Sequence, residues 1–281
     1  MNKKANLEGT NPVYKAITVI LLILVVLFFL FPLYWINSGS FKTDLEINAR
    51  EPVWFPSTPT MEHYQELFNN PAFLWLFNII FISAMAMILT CITAALAGYA
   101  LGKKRFYGQT ILFTIIICAM ALPKQVIVIP LSQMLADMHL RNTLWAVILP
   151  TVGWPFGVFL MKQFSETVPT EILEAARVDG SGELRTFSSV VFPMIKPGIG
   201  ALAIFTFVNT WNDYFLQLVM LVDRETWTLP LAIANLQGEM SSNFGLIMAG
   251  AALASVPIII VFVAFQKRPR NTSRRVLQWA P

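Results

Sequence analysis

Residues 174–180 read Glu174-Ala175-Ala176-Arg177-Val178-Asp179-Gly180, and the chain runs on through Val190 and Phe192 to Pro193. This is the most polar long segment between two apolar ones, so how it folds decides the architecture. Pro169 and Thr170 open it, with Thr170 as the expected N-cap. Glu171 and Glu174 then fall in the first turns, where carboxylates favour the helix dipole. Ala175 and Ala176 are strong helix formers, and Gly180 sits where a helix ends on a left-handed residue. Ser181 or Gly182 begins a second short helix that ends before Pro193. In water an isolated helix needs roughly 12–15 residues to persist. Two helices this short must be held by packing, against apolar spans on one side and a partner on the other.

The flanking sequence says what those spans are. The chain of 281 residues is 56% hydrophobic and 13% charged, with a mean hydropathy of +0.61. Soluble domains carry about 25% charge, so this is a polytopic membrane protein of the all-α class. The net charge of +4 reads as basic loops on one side of a membrane. Without an aromatic-interleaved basic groove, nucleic acid is excluded as a partner. Cys91 and Cys118 lie in apolar spans and read as buried small hydrophobes rather than a disulfide. His63 and His139 lie far apart in expected loops, so no metal site is expected. After the first apolar run no small-residue cleavage site follows, and the run reads as a retained span.

Six spans are expected, at about 13–33, 73–101, 110–129, 144–164, 198–222 and 245–265, within a transmembrane domain covering 13–266. Residues 1–12 form an N-terminal tail, 165–197 a loop between spans four and five, and 267–281 a basic tail. Ala94, Gly98 and Gly102 recur every four residues in span two, a small-residue ridge suited to close helix–helix approach. Pro123 and Lys124 interrupt span three. A membrane lysine is expensive unless it snorkels or faces water, and snorkelling at the outer end is favoured over a substrate role for Lys124. Pro150 and Pro155 in span four free backbone carbonyls, which is tolerable where these are buried in protein or line a cavity.

Charge sets the orientation. With both termini inside, 15 of the 20 Lys and Arg fall on the cytoplasmic side. The other five, Lys42, Arg50, Lys124, Arg141 and Arg224, fall outside. This asymmetry places the 165–197 loop in the cytoplasm.

Span five holds Asn209, Thr210, Trp211, Asn212 and Asp213, the most polar cluster within any span. Counted from Gly198, Asn209 lies roughly 16 Å in at 1.5 Å per residue, near the middle of a hydrocarbon core about 30 Å thick. Asp213 follows one turn on, on the same face. An amide and a carboxylate there must face another helix or a watery cavity. They are candidates for the path of a hydroxyl-rich solute or for simple helix anchoring. Trp211 points away from that stripe.

The spacing in the central loop resembles the EAA loop of permease subunits in ABC importers: Glu-Ala-Ala, three residues, Gly, nine residues, an aliphatic residue, one residue, an apolar residue and Pro. Glu174, Ala175, Ala176, Gly180, Val190 and Pro193 match it, and Phe192 stands where Leu is usual. Phe41-Lys42-Thr43, Glu46-Ile47, Pro56, Trp211-Asn212-Asp213 and Gly245-Leu246-Ile247-Met248-Ala249-Gly250 are similar to the carbohydrate-uptake branch, the relatives of the maltose permease subunits. The resemblance implies a coupling helix formed by Glu174, Ala175, Ala176, Asp179, Gly180 and Pro193 that docks on an ATPase. It implies a second homologous permease subunit, two ABC ATPase subunits binding ATP and Mg, and an extracytoplasmic sugar-binding protein, all at a bacterial cytoplasmic membrane. No catalytic residue, cofactor or metal is implied on this chain. After Gln266-Lys267 the tail departs from the family pattern, running Arg268-Pro269-Arg270 to Pro281. A basic tail of this kind is attracted to anionic lipid. An ABC permease for a polyol, glycerol phosphate or polyamine fits the loop equally well. A secondary transporter would need more intramembrane ionisable residues, and an intramembrane enzyme would need a catalytic pair within the spans.

Overall fold

The structure is a computed structural model and describes residues 12–239 and 243–266. The expected basic tail 267–281 and nearly all of the N-terminal tail lie outside those residues. Every regular element described is a helix. In chain order they are α1 (Pro12–Gly39), α2 (Asp44–Ile47), α3 (Glu62–Asn69), α4 (Ala72–Lys103), α5 (Gln109–Met120), α6 (Lys124–Asp137), α7 (Trp145–Val152), α8 (Phe156–Glu166), α9 (Thr170–Val178), α10 (Glu183–Thr186), α11 (Phe192–Asn212), α12 (Tyr214–Met220), α13 (Leu229–Glu239) and α14 (Phe244–Gln266). Five helical stretches among the described residues are long and apolar enough to cross a membrane, or six when the bent pair α5 and α6 counts as one span.

The chain divides into two compact units. The first comprises the chain up to Asn70 with residues 236–253. In it α1 exposes its apolar side chains from Val13 to Phe31 on all sides, as a helix in lipid does. The following loop is tied by its own polar groups. Thr43 caps α2 in a reciprocal capping box with Glu46, and the Thr60 amide donates to the Phe41 carbonyl at 2.9 Å. His63, expected in a loop, lies in α3, buried, with Nε2 at 2.8 Å from the Lys42 carbonyl. Lys42 is itself buried, its ammonium 4.1 Å from the centre of the Trp35 ring. Burial pushes the Lys42 pKa below its ordinary value, because the charged form loses water.

The second unit, 71–235 with the chain from Ala254 onward, is organised on α4. The ridge of Ala94, Gly98 and Gly102 faces Gly157, Met161 and Ser165 on α8. A β-carbon on Gly98 would stand 2.6 Å from the backbone of Met161 and Lys162, and one on Gly157 would stand 3.1 Å from Ala94 Cβ. Small residues on both helices thus allow backbone-to-backbone contact. On α11, Gly198 admits the Phe164 ring in the same way. One core gathers Ala94, Tyr99, Met161, Val191, Ile195 and Leu202, and a second gathers Ile82, Ala86, Ile148, Met220 and Leu231.

Several expected spans are broken. Span three is not straight: α5 and α6 meet at 106°, because Pro123 carries no N–H and its ring clashes with the preceding turn. Span four is interrupted at Gly153–Pro155. Span five begins before Gly198 and does not continue to Val222 as one helix. It stops at Asn212, turns at Asp213 (φ −79°, ψ 67°), and resumes as α12. Cys118, expected to be buried, is exposed on α5.

Candidate functional site

The Glu174–Gly180 segment owes its shape to local rules. Thr170 is not the N-cap. That position is Pro169, whose extended backbone precedes a helix in which Thr170 is already the first residue. Leu173 alone in α9 is buried and anchors it, while Glu174 and Ala175 face outward and Ala176 is half-buried. The helix ends in a Schellman motif: the Gly180 amide donates to the Arg177 carbonyl and the Ser181 amide to the Ala176 carbonyl, both at 2.9 Å. Gly180 has φ +73°, and nothing lies within 4 Å of where its β-carbon would be. Glycine is required there by backbone conformation, not by space.

The second short helix does not end before Pro193. From α10 the chain passes through a π turn at Phe187–Val191 straight into α11, with Pro193 in the first turn of α11. The Phe192 amide reaches back to the Phe187 carbonyl. This wider turn relieves the clash a proline makes with the carbonyl four residues before it.

Glu183, which the sequence reading passed over, ties the segment to the end of α4. It pairs with Lys104, accepts from the Tyr99 hydroxyl at 3.3 Å, and lies 3.8 Å from Arg177. Only an i, i+6 Arg–Glu spacing hinted at it, and the decisive partners are some 80 residues away. Around this pin, Val178 (87% exposed) and Leu184 (79% exposed) project two apolar side chains outward beside exposed Asp179.

The second feature is a cavity of about 480 Å³, within the range of small-molecule sites. The helix breaks at Leu122–Lys124, Gly153–Pro155 and Asp213 all line it. Thr90, Thr206 and Asn209 contribute from continuous helix. Interrupted backbone of this kind is tolerated within a membrane where it borders a cavity. Asn209 and Asp213 are therefore on the same cavity, although Asp213 no longer stands one regular turn above Asn209. Asp213 caps α12, with Oδ1 accepting from the Leu216 amide at 3.3 Å. Its other oxygen lies 3.3 Å from Lys124 Nζ. Lys124 turns toward Asp213, and its ammonium lies 4.8 Å from the centre of the Trp154 ring. Asn209 donates to the Phe205 carbonyl at 2.8 Å. Trp211 is buried, stacked on Phe207 at 5.6 Å, and does not line the cavity. No cluster of metal-ligating side chains exists among the described residues.

Comparison with known proteins adds to this geometry. Residues 94–269 match the family described as binding-protein-dependent transport system inner membrane component. The arabinooligosaccharides transport system permease protein AraQ of Halalkalibacterium halodurans is 30% identical over 262 residues, covering 92% of this chain and 94% of that protein. The diacetylchitobiose uptake system permease protein DasC of Streptomyces coelicolor is 31% identical, covering 87% of this chain and 90% of its own. In fold, the chain is similar to a crystal structure of a bacterial ABC transporter involved in the import of the acidic polysaccharide alginate. That match has a TM-score of 0.78 at 20% identity and covers 95% of this chain and 99% of the other. By the family match and by relatives of this length and identity, the chain belongs to the binding-protein-dependent transport system inner membrane components, as a permease subunit.

Proposed function

We propose that this chain is one of two permease subunits of an ATP-driven carbohydrate importer in the bacterial cytoplasmic membrane, with both termini inside. A second homologous permease completes the pathway, two ATPase subunits bind and hydrolyse ATP with Mg, and an external binding protein delivers the sugar. The saccharides in the names of its relatives support the solute class. The observation that carries the coupling role is the self-capped turn between α9 and α10, pinned by Glu183 to α4 and presenting Glu174, Ala175, Val178, Asp179 and Leu184 outward. Gly180 gives that turn its angle. The π turn and Pro193 pass its displacement into α11, which carries Asn209 and ends at Asp213 on the cavity. A push on the turn is thus transmitted by one continuous helix to the solute path.

The test is reconstitution of this chain with its permease partner, ATPases and binding protein in proteoliposomes. Labelled arabinotriose, melibiose and diacetylchitobiose are offered in turn. Uptake of at least one, with ATP hydrolysis stimulated by the loaded binding protein, is the expected result. Uptake of none of them, with uptake of a polyamine or glycerol phosphate, would overturn the carbohydrate assignment.

A further inference from the structure

We propose that the cavity is a saccharide subsite belonging to this subunit and selective for uncharged sugar units. Lys124 and Asp213 act there as a donor–acceptor pair for neighbouring hydroxyls, and Trp154 offers the ring surface. The inference rests on the carbohydrate reading above and goes further, giving this half of the pathway its own contact with the solute.

Three observations support it. First, among the described residues Lys124 and Asp213 are the only charged ones lining the cavity, and they face each other at 3.3 Å. The lining is therefore neutral overall, which favours neither an acidic nor a cationic solute. Second, the pair has capacity left. An ammonium has three donors and a carboxylate about four acceptor positions. One hydroxyl of a vicinal diol can donate to Asp213 while its neighbour accepts from Lys124. Third, the Lys124 ammonium rests on the Trp154 ring, a face on which the C–H side of a sugar ring also packs. Sugar entry would shift the ammonium from the indole to a hydroxyl.

A purely structural pair explains less. The side chains of Lys124 and Asp213 are 44% and 20% exposed, and partly exposed pairs contribute little to stability. Asp213 already caps α12 through its other oxygen, a task asparagine or serine performs as well.

The experiment uses the full reconstituted transporter and whichever neutral saccharide the parent complex takes up. If the parent takes up none, the carbohydrate reading fails, and that outcome is separate from the subsite. Lys124→Met/Asp213→Asn carries no charge, so the double variant leaves no unpaired ion to disturb assembly. The double variant is expected to copurify with the ATPases in parent amounts. Uptake at low sugar is expected to fall about tenfold, the size of one lost solute hydrogen bond. Trp154→Ala is expected to lose uptake as well, with Trp154→Phe restoring most of it. Parent-level uptake in the charge-free double variant would mean that the pair only holds helices together, and it would overturn the subsite. So would uptake of trigalacturonate by the parent at a rate equal to the neutral sugar.

Discussion

Two glycines mark the difference between the Glu174–Gly180 segment and the helix pair beside the cavity. Gly180 stands in open space and is needed because its backbone is left-handed. Gly98 has ordinary helical backbone and is needed because a β-carbon would meet the backbone of α8 at 2.6 Å. The first requirement arises within a few residues of chain. The second arises between residues 98 and 161–162, which only tertiary packing brings together. A residue type that looks the same in the sequence thus answers to local conformation in one region and to close approach in the other.

The contrast can be broken by substitution, and the largest effect is expected at Gly98. Gly98→Val forces α4 and α8 apart and should lower stability by about 3 kcal/mol, the upper part of the range for overpacking. Thermal unfolding of the purified subunit, followed by fluorescence-detected gel filtration, would show it. An unchanged midpoint would mean that the two helices do not touch as described. Gly182→Ala, in open space with φ −67°, is the control and should change stability by less than about 0.5 kcal/mol.

An intermediate effect is expected at Gly180. A side chain in the left-handed region costs about 1–2 kcal/mol, which distorts the turn without unfolding the subunit. Gly180→Val complexes should therefore assemble and sit in the membrane but lose sugar uptake. Normal uptake with the variant assembled would separate the turn from coupling.

The smallest effect concerns Glu46, held in place by local bonds. The backbone amide of Ser57 at 2.7 Å and that of Thr43 at 3.1 Å donate to its carboxylate and hold its pKa below the ordinary value. A carboxylate with a depressed folded pKa stabilises the fold above its unfolded pKa of about 4.3, and the contribution is lost as pH falls through the folded pKa. Glu46→Gln should melt slightly below the parent at pH 7, and the difference should shrink as the pH drops below the unfolded pKa and through the lower folded one. A difference constant with pH would show that the carboxylate charge contributes nothing there.

What was readable in advance divides along the same line. The Glu174–Gly180 helix and its glycine end follow from propensity and capping, which act over a few residues. Apolar runs of about 20 residues mark membrane spans, because each backbone polar group must be satisfied within its own segment. The Ala94–Gly98–Gly102 ridge announces a close contact, though not which helix receives it. Tertiary structure decided the rest. Pro123, Pro150 and Pro155 could be seen as interruptions, but Asp213 read as one more turn of a continuous span, and nothing local says that Lys124, Gly153–Pro155 and Asp213 meet on one cavity. Lys124 read as a residue reaching for the membrane surface because its partner lies 89 positions away. Glu183 drew no reading at all for the same reason, its partners lying 79 and 84 positions away. By itself the sequence determined the helices, the turn and the membrane. Which charges meet, and around what space, depends on distances through the fold that no stretch of chain encodes alone.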